Sequence, residues 1–263
     1  MLNLDDNVNI EKLLKTVRMV SQIMLESGAE AYRVEDTCTF ICHSFGITQV
    51  DSIVLSTGLY ITISPPNKGN RTVISRIKNR SIDLSKLDEV NSISRQITSK
   101  QITLDEAIIR LEGLKNDKKV SKSPFKMFYG GLAAAFFTLL FDGGIIEFAI
   151  ALFSGIIVQF VSSKLRTLDS HQFFVGFFGA GIISIIAIGA TYLLKTGDYN
   201  KIIVGGMMPL LPGLSMTNAI RDTMRGDLIS GLARGAEALL ISTSLAAGAG
   251  VIFAVSYSIG ILA

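Results

Sequence analysis

Charge is spread so unevenly along this chain that two different solvents must surround it. Of the 25 Lys/Arg and 22 Asp/Glu, residues 1–126 hold 18 and 15, which leaves 25 − 18 = 7 and 22 − 15 = 7 for residues 127–263. So long a stretch with so few charges, in a chain that is 49% hydrophobic, has too little polar surface to face water and reads as a membrane region. The net charge of +3 lies wholly in the first part, 18 − 15. It is too small and too dispersed for a nucleic-acid footprint. Cys38 and Cys42 give no disulfide framework and fit a reducing, cytosolic setting. The opening residues carry Asp5, Asp6 and Glu11 and show no basic region followed by an apolar run and a small-residue cleavage site, so the N-terminus is expected to stay on the side of synthesis.

Residues 1–120 read as a small cytoplasmic α+β domain. Ile10, Leu13, Leu14, Val17, Val20, Ile23 and Met24 recur at helical spacing until Ser27-Gly28, and a second helical pattern runs from Glu30 to Phe45. Short strands rich in Ile, Val and Thr follow at 50–56, 59–64 and 71–78, the last two joined by a turn at 65–70. Two polar helices close the domain at about 84–99 and 103–115, the second opened by Thr103 with Glu106 three residues on, a capping-box pattern. Chemistry here is thin. Cys38, Cys42 and His43 share a helix, but a closed zinc site needs four ligands and the other histidine, His171, lies in the apolar half, so no metal and no cofactor is expected. Ser56 and other serines near His43 lack a strained nucleophile turn. A membrane-anchored cytosolic hydrolase is therefore the rival reading rather than the main one, beside a regulatory or scaffold membrane subunit. Residues 121–126 form a basic linker, and Lys118 and Lys119 just before it, with Lys122 and Lys126 within it, are placed to meet anionic lipid and to mark orientation.

Residues 127–263 read as a membrane domain of about five transmembrane helices, at about 126–141, 145–162, 173–194, 201–219 and 236–258. The fold class expected is thus a mostly α membrane protein, a five-span helical bundle with a broken helix behind a soluble domain. With the soluble domain inside the cell, Lys164, Arg166, Arg221, Arg225 and Arg234 fall on inner connections, and only Lys195 and Lys201 on outer ones. Positive charge favours the cytoplasmic side, so the N-terminus is in and the C-terminus out, in an inner cell membrane. Gly130-Gly131, Gly176-x3-Ala180 and Ala246–Gly250 supply the small residues that membrane helices need for close packing. Glu147, opening the second span, is the candidate for an outer gate.

The fourth span differs from the rest. Pro209 removes a backbone donor and crowds the preceding turn, and Pro212-Gly213 repeats the interruption, so the helix should break at about 209–213. Backbone freed at membrane depth must face protein or a water-filled cavity. A new helix starting near Gly213 or Ser215 would point free N–H groups and its positive dipole end at a guest carboxylate. Thr217 and Asn218 would add hydrogen bonds that give specificity. Arg221, Asp222, Asp227, Arg234 and Glu237 follow; Glu237, three residues after Arg234, is placed to pair with it and to take up a proton. The plain alternative is a cytoplasmic loop that obeys the charge rule and a surface salt bridge.

The run Pro209-Leu-x-Pro-Gly213-x4-Asn218-Ala-Ile-Arg221-Asp222-x3-Gly226-Asp227-x2-Ser230-Gly231-x2-Arg234-x2-Glu237-Ala closely resembles the threonine/serine exporter family. Glu26-Ser27-Gly28-Ala29-Glu30-x2-Arg33-Val34-Glu35 is similar to that family's N-terminal signature, and Phe141-x-Gly143-Gly144 to its first membrane hairpin. The resemblance implies a secondary exporter driven by the proton motive force, not an enzyme. It would move threonine and serine or, in related two-component systems, dicarboxylates such as succinate. Long members continue into a second set of spans, so the chain resembles the N-terminal half. A short membrane partner supplying the other half, or a second copy of the chain, is expected to complete it.

Overall fold

The computed structural model describes residues 7–66, 68–78, 80–116, 124–167 and 172–262. Lys118, Lys119, Lys122 and His171 lie outside the described residues, as does Asn67 of the turn expected at 65–70. By its contacts the chain divides into two units. The first is Met1–Lys118 with Leu214–Gly235, and the second is Lys119–Gly213 with Ala236–Ala263.

In the first unit α1 (Asn7–Glu26) and α2 (Ala31–Ser44) precede a three-stranded antiparallel sheet of β1 (Val50–Leu55), β2 (Gly58–Ile63) and β3 (Arg71–Arg76), with α3 (Leu84–Thr98) and α4 (Leu104–Asn116) after it. The apolar periodicity dictates the core. Leu13, Val17, Val20 and Met24 of α1 meet Val34, Cys38 and Ile41 of α2, Leu59, Ile61 and Ile63 of β2, and Val90, Ile97 and Leu111 of the later helices. Polar capping fixes the helix starts. The Asp83 carboxylate accepts from the Lys86 N–H at 3.0 Å. Thr103 and Glu106 exchange bonds, Thr103 N–H to Glu106 Oε2 at 2.9 Å and Glu106 N–H to Thr103 Oγ1 at 3.2 Å, the reciprocal box read from sequence.

The second unit begins with α5 (Pro124–Leu140), α6 (Ile145–Thr167), α7 (Gln172–Leu194) and α8 (Tyr199–Met207), followed by a 3-10 turn at Met208–Leu210. Two further helices complete the chain, α9 (Gly213–Met224) and α10 (Leu228–Ser258), and the last part of α10 belongs to this unit. Three of the described helices, α6, α7 and α10, are long and apolar enough to cross a membrane. A fourth span arises if the pair Tyr199–Leu210 and Gly213–Met224 counts as one. The expected five is therefore three to four by length and composition, because the apolar part of α5, Met127–Leu140, is short.

Helices of the second unit approach through glycine, as expected where lipid offers no hydrophobic driving force and contact depends on fit. Gly131 and Gly155 oppose each other across α5 and α6, so that a methyl on Gly155 would sit 2.8 Å from the Gly131 Cα. A methyl on Gly248 would collide with the backbone carbonyl of Phe177. That neighbour is backbone and cannot rotate away. Gly248→Ala is expected to separate α10 from α7 and to destabilise the purified protein by about 1–3 kcal/mol, the usual range for overpacking, read as a lowered unfolding temperature in detergent. Gly250→Ala, where the added methyl meets open space, is the control.

Candidate functional site

The site starts from a glycine. Gly28 has φ +94°, a conformation that costs a side-chain-bearing residue but not glycine. It lets α1 close with Ala29 N–H donating to Met24 O at 2.9 Å, the pattern of a left-handed helix end. The four residues of the bend, Gly28 to Ala31, are then met by side chains from 190 residues or more further along the chain. Asn218 donates from Nδ2 to Gly28 O at 3.0 Å. Arg234 donates from Nη2 to Ala29 O at 2.8 Å. The Arg221 guanidinium pairs with the Glu30 carboxylate, which also faces Arg33 at 3.5 Å. Ala31 N–H donates to Asp222 Oδ1 at 3.3 Å. Glu30 occupies the N-cap position of α2 without capping it, and Asp222, from another helix, places its carboxylate at that positive end.

Asp222 and Arg234 form the buried centre. Their side chains are 0% and 7% exposed, with Arg234 Nε 3.1 Å from Asp222 Oδ2. A buried pair of this kind is costly to break because each charge has already lost its water. Sequence places the two on α9 and α10 because Gly226, at φ +93°, turns the chain between them. Gly231 then lets α10 lie against the Ala219 carbonyl and Thr223 of α9. The edge strand β1 is tied in as well. Val54 N–H donates to Glu35 Oε1 at 3.0 Å and Val54 O accepts from Ser230 Oγ at 3.2 Å. Arg225 stands 4.3 Å over the Tyr32 ring, a cation–π contact. Burial pushes the Glu35 carboxyl above its ordinary value, opposed by the Val54 N–H bond and assisted by the nearby Asp227, Asp36 and Asp222.

The residues singled out from sequence therefore separate into groups. Asn218, Arg221, Asp222 and Arg234 come together, and they meet the Gly28–Ala31 bend. Asp227 lies in the α9–α10 turn, its N–H donating to Asp222 O at 2.9 Å. Pro209 sits in the 3-10 turn and Pro212 in the break, where Leu211 is extended (ψ 139°) and Gly213 opens α9. The break expected at 209–213 is thus present. Ser215 and Thr217 lie in the first turns of α9, half-buried and exposed respectively, and Glu237 is half-buried on α10. Glu147 accepts from Gly144 N–H at 2.9 Å and from Asp198 N–H at 3.0 Å, so it staples two turns together. His43 is exposed, its Nε2 3.3 Å from Thr48 O. Cys38 and Cys42 are wholly buried, and loss of water pushes both thiols up to about 12. Val54, Tyr32 and the backbone groups of residues 28, 29 and 31 join the site through contacts that spacing does not reveal. The signature from Glu26 to Glu35 is the sequence signal that points to all of them but Val54.

Three helices able to span a bilayer, joined to a helix break and a buried charged cluster, define the class: a multi-pass membrane protein. The chain belongs to the threonine/serine exporter family, whose model matches residues 15–256. A Mycobacterium tuberculosis protein named "Probable threonine/serine exporter" is 24% identical over 248 residues, 92% of this chain and 46% of that protein. The "Threonine/serine exporter" of Corynebacterium glutamicum is 22% identical over 95% of this chain and 52% of its own length. The chain spans about half the length of these two relatives. The Klebsiella aerogenes "Probable succinate transporter subunit YjjP" is 25% identical, with 89% of both chains covered. No solved structure matches.

Two measurements test the cluster. Glu30→Gln and Arg221→Gln should be non-additive in a double-mutant cycle, with a coupling of about 0.5–3 kcal/mol in unfolding free energy; additive effects would mean that the pair contributes nothing. Because the fold raises the pKa of Glu35, the native state holds its proton more readily than the unfolded chain does. Stability from this group is therefore greatest in acid and is lost as pH rises through the folded-state value. Glu35→Gln should flatten that slope in pH-dependent denaturation curves.

Proposed function

We propose that the chain is a component of a secondary active exporter of small amino acids, threonine and serine foremost, or of related organic acids such as succinate. The proton motive force drives it. The observation that carries this reading is the interruption of an apolar helical run at Met208–Pro212, followed by a helix that opens with Ser215 and Thr217 and then places Asn218, Arg221 and Asp222 in the charged cluster. An interrupted helix supplies backbone donors and a positive dipole end for a carboxylate, and the named substrates of the relatives all carry one.

In this reading Pro209, Pro212 and Gly213 maintain the break, and the first turn of α9, with Ser215 and Thr217, receives the carboxylate. The Asn218 amide donor, bonded to Gly28 O, has a positioning role together with Arg221, Asp222, Asp227 and Arg234. The cluster they form links the bend after α1 to α10. Glu237 is the titratable group that couples proton entry to export, and Glu147 holds the outer turns. Residues 1–120 face the cytoplasm and the C-terminus lies outside, in the cell membrane. A membrane partner supplying the second half found in the long relatives, or a second copy, completes the pathway.

The test is export from vesicles holding the chain alone and then with that partner, using labelled threonine, serine and succinate. One substrate is expected to be moved and to stop when a protonophore collapses the gradient. Pro209→Ala with Gly213→Ala, which favours a continuous helix, should slow export at least about tenfold, equivalent to about 1.4 kcal/mol on the barrier. An undiminished rate would refute the broken-helix mechanism.

A further inference from the structure

The first unit carries a helix turned inside out. On α9 the buried residues are Asn218, Ala219 and Asp222, while Ile220 is 61% and Met224 83% exposed. A helix at the surface of a water-soluble domain does the reverse. The apolar face continues along the chain into exposed Leu228, Ile229 and Leu232 at the start of α10, a helix long and apolar enough to cross a membrane. An open groove of about 440 Å³ runs along this face, lined by Thr217, Ile220, Arg221, Met224 and Arg225. It therefore has an apolar floor and two guanidinium groups. Arg221 keeps about half its side chain exposed while pairing with Glu30, and Arg225 stands 4.3 Å from the centre of the Tyr32 ring, so each guanidinium already has a partner that holds it.

We propose that this groove binds an anionic phospholipid of the cytoplasmic leaflet, with its phosphate on Arg221 and Arg225 and the upper part of an acyl chain along Ile220 and Met224. Guanidinium groups match phosphate geometry bidentately. Apolar residues beside such a pair are the composition of a helix lying in the headgroup boundary. Continuity with α10 makes the bilayer the source: a free phosphate would use the arginines and leave Ile220 and Met224 without a role. The inference rests on α10 crossing the bilayer and on the cytoplasmic orientation proposed above, and not on which substrate is exported.

The experiment counts lipids bound to the purified full-length chain in detergent by native mass spectrometry, titrating phosphatidylglycerol against phosphatidylcholine. Phosphatidylglycerol should bind more tightly, by about fivefold for each engaged arginine, and the preference should shrink as salt is raised. Arg225→Gln should remove about that factor, and Arg225→Lys should keep part of it. Met224→Gln, which removes apolar surface without adding a charge three residues from Arg221, should weaken binding of both lipids. Equal binding of the two lipids, a preference unchanged in Arg225→Gln with an unaltered unfolding temperature, or displacement of the lipid by inorganic phosphate at equal concentration would overturn the proposal. None of these readouts requires export, so a failure of the transport reading leaves them intact.

Discussion

The buried pair of Asp222 and Arg234 is the constraint on which the first unit depends. Neither charge is stable there alone, and each is held by groups that local sequence cannot supply. Asp222 takes the N–H of Ala31 and Arg234 the carbonyl of Ala29, on either side of a residue whose carboxylate binds Arg221. Three consecutive residues thus each meet one side chain from two helices. That density of reciprocal bonding explains why Leu214–Gly235 clusters with the N-terminal residues, although an apolar-run reading assigns it to the membrane region. It also explains why polar groups dominate the buried side of α9. The bend at Gly28 and the turn at Gly226 thus serve one geometry from distant parts of the chain.

Sequence reveals here whatever short-range physics decides. The expected helix at 84–99 is observed at Leu84–Thr98 because its apolar period and the Asp83 cap are both local. The Thr103–Glu106 box and the break after Pro209 are legible for the same reason. A missing N–H or a reciprocal cap does not depend on distant residues. The partners of Asn218, Asp222 and Arg234 depend wholly on them. A pairing over 190 residues leaves no periodic trace, and spacing alone favours Arg234 with Glu237, three residues on, when the long-range Asp222 is also within 3.1 Å. Likewise the length of α5 and the continuity of the fourth apolar run cannot be settled by hydropathy, which counts apolar residues and does not see where the helix ends.

The carboxylate chemistry attributed to this region changes meaning once those partners are known. A helix start that attracts carboxylates is present twice, and at α2 an arginine that neutralises the carboxylate stands beside it. At α2 both roles are filled from within, by Asp222 at the helix start and by Arg234 beside it. At α9 the helix start comes after the break, and its polar residues, Ser215 and Thr217, precede the residues locked in the cluster. The family's long motif therefore combines two tasks within one run of sequence: interrupting a helix and fastening the segment beyond the interruption.

The length of α10 reconciles a buried arginine with a membrane span on the same helix. Its 31 residues rise by about 1.5 Å each, about 46 Å in all, against a hydrocarbon core of about 30 Å. The portion from Ala236 onward, about 34 Å by the same rise, is enough to cross. The first two turns, with Ser230 and Arg234, can then remain outside the hydrocarbon, where a charged pair does not carry the insertion cost of the bilayer centre.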